Sequence, residues 1–151
     1  MSNATTNTAL VTSIGNILMG TDAGLFRYDP VSNIITDLKL GEVNVTKLFE
    51  ADDRTLWIGT DQGLYRLRGT SHQLFMSNKF VTVIYQRPNG EIWLGTTSGL
   101  YLFDGNEWGL ELTTGINCIA ELTDGTLMVG GDSGLRILKN GRDQQPLEIP
   151  R

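Results

Sequence analysis

Four copies of one six-residue motif, each placed directly after a short apolar strand, constrain the fold of this chain more than any other feature of its sequence. The motif reads Gly-Thr-Asp-x-Gly-Leu, and its copies or close variants occupy residues 20–25, 59–64, 95–100 and 130–135. The second glycines of successive copies are 39, 36 and 35 residues apart. A period of this length that runs through a whole chain indicates an array of similar structural units.

Composition narrows the class of protein. Of the 151 residues, 40% are hydrophobic, so the chain can bury a substantial core. Its 17 acidic and 12 basic residues give a net charge of −5, which argues against nucleic-acid binding. No apolar run is long enough to span a bilayer. The polar residues 1–8 do not resemble a signal peptide and are predicted to be disordered or tag-like.

The same order of strands and turns recurs around each motif. A first strand, at residues 9–13, 45–50, 81–86 and 116–121, leads into a hairpin turn that contains Asn-Gly or Asp-Gly in two repeats. In the second strand, consecutive apolar residues such as Leu56-Trp57-Ile58 indicate burial on both faces. The Thr-Asp-x-Gly loop and a third strand follow. A more polar fourth strand is expected at residues 33–38, 73–76, 107–112 and 146–149.

Four strands in each of four repeats predict an all-β fold, a β-propeller of four four-stranded antiparallel blades. The blades are expected at about residues 9–40, 41–79, 80–114 and 115–151, within a single propeller domain over residues 9–151. Each repeat is complete in itself, so no N-terminal strand completes the fourth blade. Two arrangements stay open: a closed four-blade ring, or half of an eight-blade ring. We expect the second, formed by a homodimer that covers the exposed apolar faces.

At these residues the chain resembles the two-component regulator propeller repeat, whose signature is similar to Asp-Gly-x-Ile/Leu-Trp-Ile/Leu-Gly-Thr-x-x-Gly-Leu-x-x-Tyr/Phe. Residues 56–67 and 90–103 match it nearly throughout, whereas Leu18 and Met128 replace the tryptophan in the first and fourth repeats. The resemblance covers about residues 9–149. It implies a sensing propeller of a membrane-bound hybrid histidine kinase, usually periplasmic, that responds to glycan fragments or other small molecules.

The loops that carry the motif are the expected ligand site. They place Asp22, Asp61, Thr97 and Asp132 at one mouth of the propeller. The simpler interpretation of the aspartates is an Asx turn, in which the carboxylate accepts a hydrogen bond from the backbone two residues on. Thr97 replaces the acid in the third copy, and one acid per loop supplies few oxygen ligands for a hard cation. We therefore expect neither a metal nor a cofactor.

Several other reactive or aromatic side chains have structural interpretations. Trp57 and Trp93 lie in the most apolar strands and are expected to be buried between blades. Trp108 lies on a polar outer strand, where core packing is only slightly favoured over an exposed contact. His72, the single histidine, is expected on the solvated surface. Cys118, the single cysteine, is expected to be an inert buried thiol.

The sequence contains no recognisable catalytic constellation, so it favours a non-enzymatic binding or sensing propeller over an enzyme. The alternatives are a protein-interaction or assembly module and a propeller lyase or carbohydrate-active enzyme, because the fold does not determine the function. The expected partners are a small molecule or oligosaccharide and a second copy of the chain, without nucleic acid or membrane insertion. The expected location is periplasmic if the chain is a fragment of a sensor of this family, and cytoplasmic if it is complete.

Overall fold

Each repeat of the sequence folds into one antiparallel sheet. The computed structural model describes residues 3–139, 142–143, 147 and 149–151, and its four sheets each contain four strands in chain order. The prediction of an all-β fold made of four-stranded antiparallel propeller blades is therefore confirmed. Within the described part of the chain there is no helix with the length and apolar character needed to cross a membrane.

The four sheets are called blades 1 to 4 in chain order. Blade 1 contains β1 (Thr6–Val11), β2 (Ile17–Thr21), β3 (Gly24–Asp29) and β4 (Ile34–Asp37). Blade 2 contains β5 (Val45–Glu50), β6 (Leu56–Thr60), β7 (Gly63–Arg68) and β8 (Ser71–Ser77). Blade 3 contains β9 (Val81–Gln86), β10 (Ile92–Thr96), β11 (Gly99–Phe103) and β12 (Trp108–Leu112). Blade 4 contains β13 (Ile116–Glu121), β14 (Leu127–Gly131), β15 (Gly134–Lys139) and β16 (Arg142–Asp143).

The strand boundaries differ from the prediction in the first and last blades. β1 begins three residues earlier than expected, because Thr6 pairs with Thr21 of β2. In blade 4 the fourth strand is Arg142–Asp143 rather than residues 146–149. Residues 146 and 148 of the predicted strand lie outside the described residues, and Leu147 forms a single antiparallel bridge with β15.

Backbone contacts group the blades into two compact units, each with its own core. The first unit, residues 3–81, holds blades 1 and 2, whose buried faces pack against each other. Leu18 and Leu25 of blade 1 form this core with Leu56 and Ile58 of blade 2. Burial of each such side chain stabilises the fold by about 1.5–3 kcal/mol. Stacking of the two sheets is therefore a major source of this unit's stability.

The second unit, the described residues from 82 onward, repeats this arrangement with blades 3 and 4. Trp93 and Leu100 of blade 3 pack with Leu127 and Val129 of blade 4. Trp93 has only 1% of its surface exposed. The tryptophan of the repeat is thus a spacer between adjacent sheets in this unit.

The first glycine of the motif permits the sheets to approach closely. A β-carbon at Gly20 would collide with the side chain of Val45 in blade 2. In the second unit, a β-carbon at Gly95 would collide in the same way with Ile116 of blade 4. Glycine is therefore required where a second strand is crossed by the first strand of the next blade.

Candidate functional site

The threonine of the repeated motif closes its loop. In blade 2 the fully buried Thr60 hydroxyl donates to the Gly63 carbonyl at 2.8 Å and accepts hydrogen bonds from the Gln62 and Gly63 N–H groups at 3.1 and 2.9 Å. Thr21 and Thr96 donate the equivalent bond in blades 1 and 3. The expectation that the aspartate closes the loop as an Asx turn is therefore wrong, because the shorter hydroxyl side chain already satisfies these backbone groups.

The aspartates tie the loop to the segment before the first strand of the same blade. Oδ1 of Asp22 accepts a hydrogen bond from the Thr5 N–H at 2.9 Å, and Oδ1 of Asp61 accepts one from the Asn44 N–H at 3.2 Å. The backbone N–H groups of both aspartates return the bond to the carbonyls of the same two residues. This reciprocal pairing gives Asp22 and Asp61 a structural role in positioning β1 and β5.

The corresponding positions in blades 3 and 4 are less strongly held. The Asp132 N–H donates to the Gly115 carbonyl at 3.0 Å, and Thr97 is exposed. Among the residues that the structure describes, no group of three or more His, Cys, Asp or Glu side chains is placed to hold a metal ion. Ligand contact at Asp22, Asp61, Thr97 and Asp132 stays a prediction.

A cleft of about 520 Å³ opens between blades 1 and 2, at the opposite end of their strands from these loops. It lies beside the β1–β2, β5–β6 and β7–β8 turns. Its apolar lining includes the buried Leu18 and Leu56 together with Leu67, and Thr12 and Thr70 add hydroxyl groups. The volume and the mixed lining are typical of sites for small molecules.

Charged side chains also line this cleft. The cations are Arg27, Lys39 and Arg54, and the carboxylates are Asp37 and Glu50. Nζ of Lys39 lies 3.0 Å from Oδ2 of Asp37. The backbone N–H of Lys39, followed by its ammonium group, holds the pKa of Asp37 below its usual value. This carboxylate is therefore ionised and paired with its neighbour at neutral pH.

Glu50 is committed to the hairpin turn of blade 1. Its two carboxylate oxygens accept hydrogen bonds from the hydroxyl and the N–H of Ser13, each at 2.6 Å. The hydroxyl bond, followed by the backbone bond, lowers the pKa of Glu50. Glu50 thus fastens blade 2 to the turn of blade 1 and forms one wall of the cleft.

The cleft is open because blade 1 departs from the repeat at two positions. Leu18 occupies the position that is Trp93 in blade 3. Thr12 is equivalent to Arg87, because each donates its backbone N–H across the turn between the first two strands, Thr12 to Asn16 and Arg87 to Glu91. In the second unit, Arg87 reaches Glu121 of blade 4 at 3.2 Å. Burial opposes the charge of Arg87, but the hydrogen bonds to Glu121 outweigh it and raise the pKa of the guanidinium. Among the described residues of the first unit, no side chain forms the equivalent bridge between blades 1 and 2.

The second unit has a hollow of its own beside the corresponding turns. Its volume is about 550 Å³, but its lining consists largely of turn residues such as Arg87, Asn89 and Asp124. Among the residues that the structure describes there, no buried member of that unit's core cluster lines the hollow. By contrast, the cleft of the first unit extends to the core residues Leu18 and Leu56. The cleft between blades 1 and 2 is therefore the candidate functional site.

The predicted burial of Trp57 and Trp93 is confirmed. Trp57 and Trp93 are each 1% exposed. Trp108 is half-buried, with its ring centroid 5.0 Å from that of Phe103. These three rings pack in the blades, and none lines the cleft.

The prediction of an exposed His72 is confirmed, whereas that of a buried Cys118 is wrong. His72 lines the cleft, with Nε2 3.0 Å from the Lys39 carbonyl oxygen. Cys118 is exposed. A bulge in β13 places Ile116 and Ile119 on the face towards blade 3 and turns Cys118 to the outer face.

The sequence predicts a site at the motif loops, and it does not single out Arg27, Lys39 and Arg54, which line the cleft. Two signals for the cleft are present in the repeat alignment. Leu18 is smaller than the tryptophan of the signature, which leaves space. Arg54 occupies the turn position that is glycine in the three other repeats, which places a long cation beside that space.

Comparison with known proteins supports the family resemblance. Residues 76–98 match the family model described as the two component regulator propeller. No curated protein sequence matches the chain. The matched segment runs from the end of β8 through β10 and contains the Trp93 strand and the Gly-Thr pair that follows it.

Solved structures share the fold. The extracellular domain of a protein assigned as a hybrid two component system from B. thetaiotaomicron is 25% identical, with a TM-score of 0.78 over 97% of this chain and 22% of that chain. A second such domain from the same organism is 22% identical, with a TM-score of 0.77 over 91% of this chain and 21% of that chain. Virginiamycin B lyase from Staphylococcus aureus is 15% identical, with a TM-score of 0.72 over 94% of this chain and 55% of that chain.

The chain spans about a fifth of the length of the two extracellular domains that it matches. Their fold agrees with the succession of four-stranded blades, and the matched segment agrees with the repeat signature. The predicted resemblance is confirmed: this chain consists of β-propeller blades, and its residues 76–98 match the two component regulator propeller model.

Proposed function

We propose that this chain is a non-enzymatic binding propeller that senses a small molecule or a glycan fragment as part of a two-component type receptor. The observation that carries the proposal is the combination of the family repeat with the fold of extracellular domains from hybrid two component systems. The cleft between blades 1 and 2 supports it, because it joins an apolar interior to hydroxyl and charged groups.

The location and the output of such a receptor are part of the same proposal. The solved relatives are extracellular domains, which supports an extracytoplasmic, periplasmic location for this propeller. In this arrangement the propeller binds the ligand and other segments of the receptor transmit the signal. The first alternative to this receptor function is a protein-interaction or assembly module that binds no small ligand.

A lyase is the enzymatic alternative, since virginiamycin B lyase shares the fold. A fold hosts many unrelated functions, so this likeness alone supports no reaction. His72 is the side chain on which the alternative depends, because it is the single histidine and lines the cleft. Its Nε2 is within hydrogen-bond distance of a backbone carbonyl, which favours a positioning role.

A thermal-shift screen with oligosaccharides and small metabolites tests the proposal. We expect at least one compound to raise the melting temperature in a saturable way and to be recovered unchanged, as shown by mass spectrometry. If no compound shifts the melting temperature, sensing loses its support and the assembly module is favoured. Turnover of a compound that is abolished by His72→Ala would instead favour the enzyme.

A further inference from the structure

The cleft of the first unit has two guanidinium groups that make no direct contact with a carboxylate. Among the described residues, the guanidinium groups of Arg27 and Arg54 form no ion pair within 4 Å and no hydrogen bond, and they act only through space, Arg27 on Asp29 and Arg54 on Glu50. Arg27 lies opposite Leu18 in the register of β2 and β3, on the sheet face turned to blade 2. Arg54 lies in the β5–β6 turn of blade 2. The two guanidinium groups thus border the cleft from different blades.

The backbone of Arg54 is strained. Its φ is 65°, in the left-handed region, and the equivalent residues Gly15, Gly90 and Gly125 also have positive φ. Glycine adopts this conformation freely, whereas a residue with a β-carbon is disfavoured there. Such strain is concentrated at functional sites. In blade 2 the turn therefore carries a long cationic side chain that the turn itself does not need.

The carboxylates of the cleft make their direct contacts with other groups, although Arg54 acts on Glu50 through space. Asp37 is paired with Lys39, and Glu50 accepts both hydrogen bonds of Ser13. Counted together, the three cations and two carboxylates of the lining leave an excess of one positive charge. This local excess contrasts with the net charge of −5 for the whole chain. The cleft is therefore suited to an anion although the protein as a whole repels one.

We propose that this cleft binds a small carboxylate-bearing molecule of about disaccharide size, with Arg27 and Arg54 on the carboxylate. The planar guanidinium group matches the two oxygens of a carboxylate and forms charge-assisted hydrogen bonds with them. Leu18 and Leu67 offer an apolar surface to the body of the ligand, and Thr12 offers a hydroxyl group. This inference rests on the proposed binding function and adds the chemical class of the ligand.

Calorimetric titration with digalacturonate tests this class directly. Methyl-esterified digalacturonate is the matched neutral ligand, since it keeps the sugar rings and loses the charge. We expect the acid to bind at least about tenfold more tightly than the ester, as the loss of a charge-assisted hydrogen bond implies. Citrate has carboxylates without a sugar ring, so its binding would support the carboxylate requirement and assign no part to the ring. Equal affinities for acid and ester would overturn the proposal.

Variants locate the binding. Arg27→Gln and Arg54→Gln are each expected to weaken digalacturonate binding about tenfold or more. The control is Arg66→Gln, because Arg66 stacks on Phe75 at 4.6 Å and does not line the cleft. Unchanged affinity in both cleft variants would place the ligand elsewhere and overturn the assignment.

A variant that fills the cleft distinguishes failure of this inference from failure of the proposed function. Thr12→Arg places in blade 1 the side chain that Arg87 provides in blade 3, within reach of Glu50. We expect it to abolish digalacturonate binding without lowering the melting temperature. If a neutral oligosaccharide binds and Thr12→Arg leaves that binding intact, the carboxylate site is wrong while the sensing function stands. If nothing binds the parent protein, both are wrong.

The outer face of blade 1 carries a second, independent inference. Ile17 and Met19 are only half-buried, and they share this face with Val11 and Ile35, which are 67% and 61% exposed. The positions equivalent to Ile17 are buried in the other three blades, at Leu56, Ile92 and Leu127. In blades 2 and 4 that position packs against the preceding blade of the same unit. Blade 1 thus presents an apolar face of the kind that another blade covers.

The outer face of blade 4 is of the opposite type to that of blade 1: it is the face that receives a following blade. Met128 and Leu135 are half-buried, whereas the equivalent Trp93 and Leu100 of blade 3 are 1% and 0% exposed because blade 4 covers them. Cys118 lies on this same face, opposite Gly130. Among the described residues, the space where a β-carbon of Gly130 would stand is bordered by Cys118 alone. This face therefore corresponds to the one that receives the next blade in both units.

We infer that blade 4 of one copy packs on blade 1 of a second copy. This contact would use the same strand positions through which blade 1 packs on blade 2 and blade 3 packs on blade 4. Each chain has one face of each kind, so two copies satisfy all four faces through two identical contacts. The occupant of both faces is thus a second copy of this chain.

Light scattering on a chromatographed sample tests the dimer, and Cys118 provides a local readout. We expect twice the chain mass of 16.6 kDa. Alkylation of Cys118 is expected to slow as the protein concentration rises. Val11→Lys combined with Ile35→Lys is expected to give monomers, while Val31→Lys, at a 94% exposed position in the β3–β4 turn, leaves the dimer intact. A monomer mass at all protein concentrations overturns the inference. This holds whether Cys118 is alkylated quickly or is protected by closure within one chain.

Discussion

Replacement of Arg87 by methionine is expected to destabilise the second unit strongly. Arg87 and Glu121 are only 15% and 11% exposed. Nη2 and Nε of the guanidinium each lie 3.2 Å from Oε1 of Glu121, and Nη2 also donates to the Gly125 carbonyl at 2.8 Å. Arg87→Met keeps much of the side-chain volume but leaves Glu121 as a buried carboxylate without its cation. Breaking one side of a fully buried pair costs about 3–5 kcal/mol, and the residual exposure of this pair and the hydrogen bond from Tyr85 to Glu121 place the expected loss at the lower end of that range.

Urea denaturation at neutral pH measures this loss. The matched control is Arg68→Met, because the Arg68–Asp53 pair is 3.7 Å long with both side chains more than 60% exposed. Such a surface pair contributes about 0–1 kcal/mol. Adding Glu121→Gln to Arg87→Met removes the stranded charge, so the double variant is expected to recover a large part of the loss. Equal small losses for the two single variants, or no recovery in the double variant, would refute this reasoning.

Four further substitutions probe individual features of the structure. Arg54→Gly is expected to raise the free energy of unfolding by up to about 1 kcal/mol, because glycine relieves the left-handed backbone at φ 65°; lower stability in denaturant titrations would contradict the strain. Thr60→Val is expected to cost about 2–3 kcal/mol, since it leaves buried loop groups unpaired. Asp61→Ala, which removes a single bond to the Asn44 N–H, is expected to cost less, and an equal cost would argue against loop closure by the threonine. The hydrogen bonds of Ser13 hold the pKa of Glu50 below its ordinary value of 4.5, so the stabilisation by Glu50 is complete above that value and is lost as the pH falls through the folded pKa. Glu50→Gln is therefore expected to flatten the acid limb of stability against pH, and superimposable acid limbs for parent and variant would refute the role of this carboxylate.

The repeat makes the fold predictable from sequence because its signals are local. Strand positions follow from apolar runs such as Leu56-Trp57-Ile58, and the turns follow from glycines with positive φ such as Gly90 and Gly125. Burial of Trp57 follows from the same pattern. These features depend on neighbours a few residues away, so a single sequence is sufficient to read them.

The predictions of a buried Cys118 and of Asx turns in the motif loops are wrong because both depend on backbone and side-chain geometry that a single sequence does not contain. A single bulge decides that Cys118 faces outwards, and apolar neighbours in the sequence do not reveal a bulge. The threonine and the aspartate of the motif can both bond to the loop backbone. Only the geometry assigns closure to Thr60 and leaves Asp61 to bond the Asn44 N–H.

The candidate site was not predictable from the repeated residues, because it exists where they are missing. Leu18 and Thr12 leave a space that Trp93 and Arg87 occupy in the other unit. The substitution of tryptophan by Leu18 was visible in the sequence, but its consequence depends on how blades 1 and 2 stack. Arg54 also marks this region in the sequence, because it occupies a turn position with positive φ that favours glycine.

An amide NMR titration with digalacturonate tests most directly whether the cleft between blades 1 and 2 is the ligand site. The predicted result is a set of saturable shift changes at Thr12, Leu18 and Arg54, absent in Thr12→Arg. Changes confined to the motif loops, at Asp22, Asp61, Thr97 and Asp132, would contradict it and restore the site expected from the sequence. The absence of any change would contradict binding of this ligand class altogether.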